Sequence, residues 1–403
     1  MAAATAATMS LSSSFSSGLQ IRSPNPNPNP RRRRGGRVMG SGAGAGGGCA
    51  GAAPEPRGAK PCGGAIPPAM LDEFAIPASL VDRRVTRMRL LSPSNLASDF
   101  SRHLRPAAHI AMLRREVLDS FLRSRAQSQG AHLLPALLTS LSLPSSPLHP
   151  YLLHYIPSGA GAGAGPATST LAVDVVVGAD GANSRVARCI GAGDYSTAIA
   201  FQERVRLPPA GMAAYADLAE MYVGDDVSPD FYAWVFPKCD HVAVGTGTAA
   251  AKPAIRRLQA AARARAAPKL AGGVVVRVEA HPIPEHPRPR RVAGRAALVG
   301  DAAGVAEADL KREYLRRWDE EFAGTFRFLD ALQRVFYGSN AAREALVELC
   351  GDEYVQRMTF DSYLHKKMAA GRPLDDLGLL WKSAGSLLRA TILGREVERL
   401  RSL

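Results

Sequence analysis

The chain has 403 residues, 46% of them hydrophobic, enough for a core of about two domains and too many for a wholly disordered chain. No apolar run approaches the ~18 residues of a membrane-spanning helix, and Cys49, Cys62, Cys189, Cys239 and Cys350 form no CxxC pair, which excludes a zinc ribbon or a disulfide framework and suggests a soluble, reduced, intracellular protein. The net charge of +14 suits nucleic acid, anionic lipid or phosphorylated small molecules as partners, or simply a solvated basic face.

Residues 1–50 open with Ala, Ser and Thr, pass through alternating Asn and Pro and the Arg31–Arg34 block, and end in a Gly/Ala tract. From Met1 to Pro54 there is no acidic residue but six arginines, which leaves +8 on the remainder once these are removed. Such a stretch cannot bury apolar surface, and its composition is that of an organelle transit peptide, with chloroplast favoured. A basic nucleic-acid arm is the alternative, but no aromatic residue lies near the arginines for base stacking. Arg83 to Leu91 alternates as a strand does, and Leu113, Val117, Leu118, Phe121 and Leu122 predict an amphipathic helix around 111–128. Residues 158–166 form a Gly/Ala linker. Val173–Val177 is a short apolar run meeting a turn at Gly178. Phe231–Phe236 with His241–Val244, and Val274–Val278 with Ala296–Val299, predict further strands. Pro282, Pro284, Pro287 and Pro289 are expected to keep the intervening segment irregular. From Leu310, apolar residues through Trp318, Phe322 and Phe336 recur at three- and four-residue steps, a helical pattern. Strands with interspersed helices, followed by helices alone, imply an α/β body from about 60 to 305 and a helical region over 306–403.

Three segments carry chemistry. In the first, Val173 to Arg185, a strand runs into a glycine turn and a helix start, where free N–H groups favour phosphate; Asp180, Gly181 and Arg185 are its candidate residues. In the second, an apolar strand ends in Gly300-Asp301 and continues through small residues to Gly304, allowing hydroxyl recognition and close approach of a planar ligand. The third is Arg115, which opens an amphipathic helix and could hold a phosphate at a pocket mouth. Each has a bland structural alternative: a glycine turn, a capping aspartate, a solvated arginine.

In order, Arg115-x-x-Leu-Asp-x-x-Leu122, Gly178-Ala-Asp-Gly-Ala-Asn-Ser-Arg185 and Leu298-Val-Gly-Asp-Ala-Ala-Gly304 resemble the aromatic-hydroxylase-type flavoproteins. Pro61-Cys62-Gly63-Gly64-Ala65 and Tyr232-Ala-Trp234-Val-Phe236-Pro237, followed by Gly245, are similar to the marks of the geranylgeranyl reductase family, and in particular its plant plastid branch. The resemblance covers about residues 60–304 and resumes around 309–403. It implies a Rossmann-like FAD-binding sheet beside an antiparallel substrate sheet, with C-terminal helices. It also implies NADPH- and flavin-dependent reduction of geranylgeranyl double bonds, on the diphosphate or the chlorophyll ester, for chlorophyll and tocopherol synthesis. By position, Arg115, Asp180, Gly181, Gly300, Asp301 and Gly304 would hold FAD. Tyr232, Trp234, Phe236, Pro237 and Gly245 would line a prenyl channel, and Cys62 would donate a proton or serve as inert packing. A place at the thylakoid membrane, through a light-harvesting-like membrane protein, is implied as well, with no nucleic acid and no metal.

The chain departs from the family pattern twice. The tract Gly40–Gly51 contains GxGxxG, yet no apolar strand precedes it, and Pro54 and Pro56 stand where a helix should follow. After Gly304 the chain passes directly to the final helical segment near Asp309. The nucleotide-binding sheet is therefore expected to be incomplete. Two readings follow: an active prenyl reductase, or a non-catalytic paralogue or truncated product acting as an interaction protein. A membrane-surface module over Leu377–Leu403, where leucines mix with Lys382, Arg389 and Arg395, is a third, set against a helix packed on the domain.

Overall fold

A computed structural model describes residues 62–100, 108–158, 168–303 and 333–358, together with Lys382, Gly385, Ser386, Leu388 and Arg389. The leader, the Gly/Ala linker apart from Ser158, Gly304 and most of the C-terminal helical region lie outside the described residues. No described helix is long and apolar enough to cross a membrane.

Among the described residues the architecture is α/β, with a seven-stranded sheet and three sheets of three strands. Strands are numbered in chain order: β1 (Ala65–Ile66), β2 (Arg83–Val85), β3 (Arg87–Leu91), β4 (Ala97–Asp99), β5 (Ile110–Met112), β6 (Ala136–Ser142), β7 (Tyr151–Pro157), β8 (Ser169–Val173) and β9 (Val176–Gly178). They continue with β10 (Thr197–Arg206), β11 (Leu218–Gly224), β12 (Ser228–Pro237), β13 (His241–Thr248), β14 (Val274–Pro284), β15 (Val292–Ala293) and β16 (Ala296–Leu298). The large sheet runs β14-β10-β13-β12-β11-β3-β4, antiparallel except where β11 pairs with β3. The small sheets are β1-β5-β2, β6-β7-β8 and β15-β16-β9, the last with β16 parallel to β9.

Both faces of the large sheet are covered, so β11 and β13 are buried along their whole length. One face packs on α5 (Ile255–Ala266), whose Leu258, Ala262 and Ala266 recur every four residues and are buried. The opposite face carries Met221, Tyr232, Trp234 and Phe236. They share a cluster with Ala65, Val85, Ile110 and Met112 of the β1-β5-β2 sheet and with Leu346, Leu349 and Cys350 at the end of α6 (Asn340–Leu349).

Several sequence expectations are corrected. The strand over 83–91 breaks at Thr86, whose N–H and hydroxyl bond to Asp217, and its halves enter different sheets. The helix predicted over 111–128 is α2 (Arg115–Ser128), because Ile110–Met112 pairs as β5. Val173–Val177 is likewise two elements, the end of β8 and the start of β9, in separate sheets. Val274–Val278 and Ala296–Val299 are not partners. β14 runs on through Pro282 and Pro284, which an edge strand tolerates because one side of it makes no ladder bonds.

Candidate active site

The turn after β9 and the turn after β16 lie side by side. The two strands are parallel with Gly178 opposite Leu298, and Val299 N–H donates to Gly178 O at 2.9 Å. Two side chains from elsewhere stitch the turns together. The Tyr195 hydroxyl lies 2.9 Å from both Ala182 O and Asp301 O. Arg288, almost fully buried, donates to Ala302 O, Gly193 O and Ala182 O, and its guanidinium lies 3.8 Å from the centre of the Tyr195 ring. Gly300 has φ +59°, and a Cβ there would project into open space, leaving room at this turn for a ligand's approach.

Asp180 does not face such a ligand with a free carboxylate. Its two oxygens accept from Ser184 Oγ at 2.5 Å, from Arg185 N–H at 2.6 Å and from Val186 N–H at 3.2 Å. Together with Ser184, which accepts from Ala187 N–H, it caps α3 (Arg185–Cys189), the helix start expected to offer N–H groups to phosphate. The Arg185 guanidinium turns away to Thr139 O, and Gly181 supplies the positive φ of the turn.

The second cluster lies where β12 ends. Lys238 follows Pro237, is 3% exposed, and donates to Gly63 O and Leu113 O. These carbonyls belong to the Cys62-Gly63-Gly64 turn and to the link between β5 and α2. Arg83 donates to Lys238 O and Cys239 O at 2.8 and 2.6 Å, fixing the main chain that bears the lysine. Arg115, at the start of α2, pairs with Asp119 at 3.0 Å and lies within hydrogen-bonding reach of the Cys62 thiol. Burial pushes the Lys238 ammonium down to about 8, against the opposing pull of Cys62, Asp82 and Glu116.

Between the clusters, one face of the large sheet carries a polar chain beside the aromatic row. Trp234 Nε1–H donates to Gln202 Oε1 at 3.2 Å, Gln202 donates to Glu279, and Arg204 joins Glu279 to Glu116 at 3.0 and 2.8 Å. Burial pushes the Glu116 carboxyl up, but the hydrogen bonds from Arg204 hold it below its ordinary value. His281, opposite Ala200 on the same face, brings Nε2 to 3.6 Å from Asp301 Oδ2. Asp301 therefore borders the face that carries Trp234.

Tyr232, Trp234 and Phe236 all point to this face, with Tyr232 and Trp234 edge to face at 5.9 Å. All three, and Pro237, are buried against packed side chains. Gly245 makes room for the indole, since a Cβ there would stand 2.3 Å from Trp234 Cζ2.

The liganding atoms of Cys239, Asp240 and His241 lie within 4.8 Å of one another. Their surroundings disfavour a cation: Arg206 pairs with Asp240, and burial followed by the Asp82 charge pushes the Cys239 thiol up, keeping it protonated.

The sequence reading did not single out Lys238, Tyr195, Arg288, Arg204 or His281. Lys238 stood directly after the Tyr232–Pro237 motif, and His281 and Arg288 among the prolines taken for irregular chain.

A solved structure, a geranylgeranyl bacteriochlorophyll reductase-like protein from Thermoplasma acidophilum, matches 83% of this chain and 79% of its own at a TM-score of 0.51 and 16% identity. That likeness shows the fold alone, a Rossmann-like α/β architecture. Sequence similarity goes further. The chloroplastic geranylgeranyl diphosphate reductase of Arabidopsis thaliana is 53% identical over 375 residues, 85% of this chain and 80% of that protein. The Synechocystis enzyme of that name is 52% identical over 83% of this chain and 90% of its own, and the Rhodobacter capsulatus one is 30% identical. The chain matches no protein-family model. It belongs to the geranylgeranyl diphosphate reductase family, whose members are oxidoreductases.

Proposed function

We propose that the chain reduces geranylgeranyl double bonds with bound FAD and electrons from NADPH, in the chloroplast, on the free diphosphate or the chlorophyll ester. The observation that carries this reading is the contact of Asp301 with His281. It sets the turn that would meet the cofactor against the face bearing Trp234 and, farther along, the Cys62 turn. The main chain of Gly181, Gly300 and Asp301 would hold the flavin end, where Gly300 leaves space. FAD, when bound, supplies the hydride. The residues present orient the alkene along Tyr232, Trp234 and Phe236, exclude water through the packed cover above them, and place the Cys62 thiol to give a proton. Arg115, beside that thiol, is suited to an anionic group. The products would enter chlorophyll and tocopherol synthesis.

One observation favours the second reading, a chain without turnover. Among the described residues β9 is an edge strand, its Val177 59% exposed and Val175 just before it 61% exposed, so no described strand lies where a nucleotide-binding sheet would continue. The purified chain, reconstituted with excess FAD and desalted, separates the two. Retained flavin absorbance together with NADPH-dependent saturation of geranylgeranyl diphosphate supports the reductase. A chain that retains no flavin is the non-catalytic paralogue or truncated product. In the active case, Trp234→Ala lowers kcat/KM for the prenyl substrate at least about tenfold while flavin retention holds.

A further inference from the structure

We propose that Lys238 is a positioning residue that clamps the Cys62 turn to the end of the aromatic strand β12. The proposal rests on the reading that Cys62 belongs to the reacting site. The geometry is specific. Lys238 is a buried cation whose hydrogen-bond partners are two main-chain carbonyls, Gly63 O and Leu113 O at 3.1 Å, rather than a carboxylate. Removing an ammonium from water is costly, and an apolar side chain of the same length would pack there at lower cost, so the polar head is retained for what it holds. What it holds is the meeting point of three segments: the turn that bears Cys62, the β5–α2 link that leads into Arg115, and the strand that bears Tyr232, Trp234 and Phe236.

Gly64 is shaped to the clamp. With φ +66° it takes a conformation that favours glycine, and a Cβ there would stand 2.1 Å from Leu113 O and 2.3 Å from Lys238 Nζ. Its N–H faces Cys62 Sγ at 3.3 Å, and its carbonyl accepts from Leu113 N–H at 2.8 Å. The thiol's direction is thus set by a turn whose floor is the lysine. Arg83 anchors the other side, through the carbonyls of Lys238 and Cys239. The thiol and the aromatic row are held as one unit, although 175 residues separate Gly63 from Lys238 in the chain.

Lys238→Met, which keeps the stem and removes the donors, tests the clamp against Lys238→Arg, which restores donors and charge. The readout is the rate of Cys62 alkylation by iodoacetamide in the folded chain, followed by mass spectrometry, with Cys189 as internal control. Lys238→Met is expected to alkylate Cys62 about tenfold faster or more, the scale of losing one charge-assisted hydrogen bond, with Cys189 unchanged and the rate partly restored in Lys238→Arg. In turnover, kcat falls while KM for the prenyl diphosphate stays within about twofold. A folded Lys238→Met chain whose Cys62 reacts at the wild-type rate overturns the proposal. Should that variant not fold, amide exchange in the wild type decides. Protection of the Gly63 and Gly64 amides, which precede the β1–β5 ladder, comparable to that of β12 supports the clamp, and free exchange there overturns it. Alkylation and exchange need neither flavin nor turnover, so a chain that binds no FAD but keeps the clamp loses the reductase reading alone.

Discussion

At the scale of single residues, close contacts decide what a position tolerates. Gly245 is the clearest case, because the Trp234 indole occupies the volume of its missing Cβ. Gly245→Ala is expected to cost about 1–3 kcal/mol, the price of overpacking a filled core, seen as a lower urea midpoint at unchanged slope. The aromatic row entered through the family resemblance, and the alternation of Tyr232, Trp234 and Phe236 accounts for all three sharing one face. Lys238 was not legible, since a lysine after Pro237 reads in sequence as a solvated turn, and only the fold brings the Gly63 and Leu113 carbonyls to it. Its burial has a pH consequence. The unfolded chain keeps this proton to about the ordinary 10.5, whereas the folded chain releases it near 8. Between those values the unfolded state binds more protons, so this group makes stability rise with pH. Denaturant titrations at pH 7, 8.5 and 10 are expected to show that rise relative to Lys238→Met, which lacks it; parallel curves for the two chains would contradict it.

At the scale of elements, the helix α6 illustrates how a buried charge can fasten a surface. Arg343 is fully buried within it, yet its guanidinium leaves the helix to reach Asp225 Oδ1 at 2.6 Å and the carbonyls of Pro229 and Tyr337, all near the β11–β12 turn. Truncation takes the donor from the Pro229 and Tyr337 carbonyls, while the exposed Asp225 carboxylate is left to water. Arg343→Ala is therefore expected to destabilise by about 3 kcal/mol or more and to raise amide exchange in α6 before β13. Element type was read well where one period dominated, as in β12 and α2. It failed where the chain changes sheets without changing composition. Nothing local in Arg83–Leu91 or Val173–Val177 marks Thr86 or Asp174 as a crossing, because the deciding partners, Asp217 for Thr86 and β16 for Val176, are far away in sequence. Prolines misled for the complementary reason: their cost depends on whether a strand is central or at an edge, which is a property of the sheet.

At the scale of the molecule, the candidate site has two ends with separate fastenings, the Lys238 clamp and the Tyr195–Arg288 stitch, joined by one sheet face. The convergence of the turns after β9 and β16 was implied by the family resemblance of their two segments, but what holds them together was not, since Arg288 stands between prolines 287 and 289. Arg288 serves three carbonyls, one in each of the two turns and one at Gly193, so Arg288→Met leaves buried acceptors without donors and is expected to cost about 3 kcal/mol or more. Tyr195→Phe removes only the bridging hydroxyl and is expected to cost about 1 kcal/mol. If the stitched turns form the flavin end, retained FAD falls in the same order, Tyr195→Phe less than Arg288→Met. The two fastenings share no hydrogen-bond partner, and effects at such independent sites add. Cys62 alkylation should accordingly stay at the wild-type rate in both variants. A rise at Cys62 on cutting the stitch would mean that the sheet face transmits strain from one end to the other, and that the two ends form one cooperative unit.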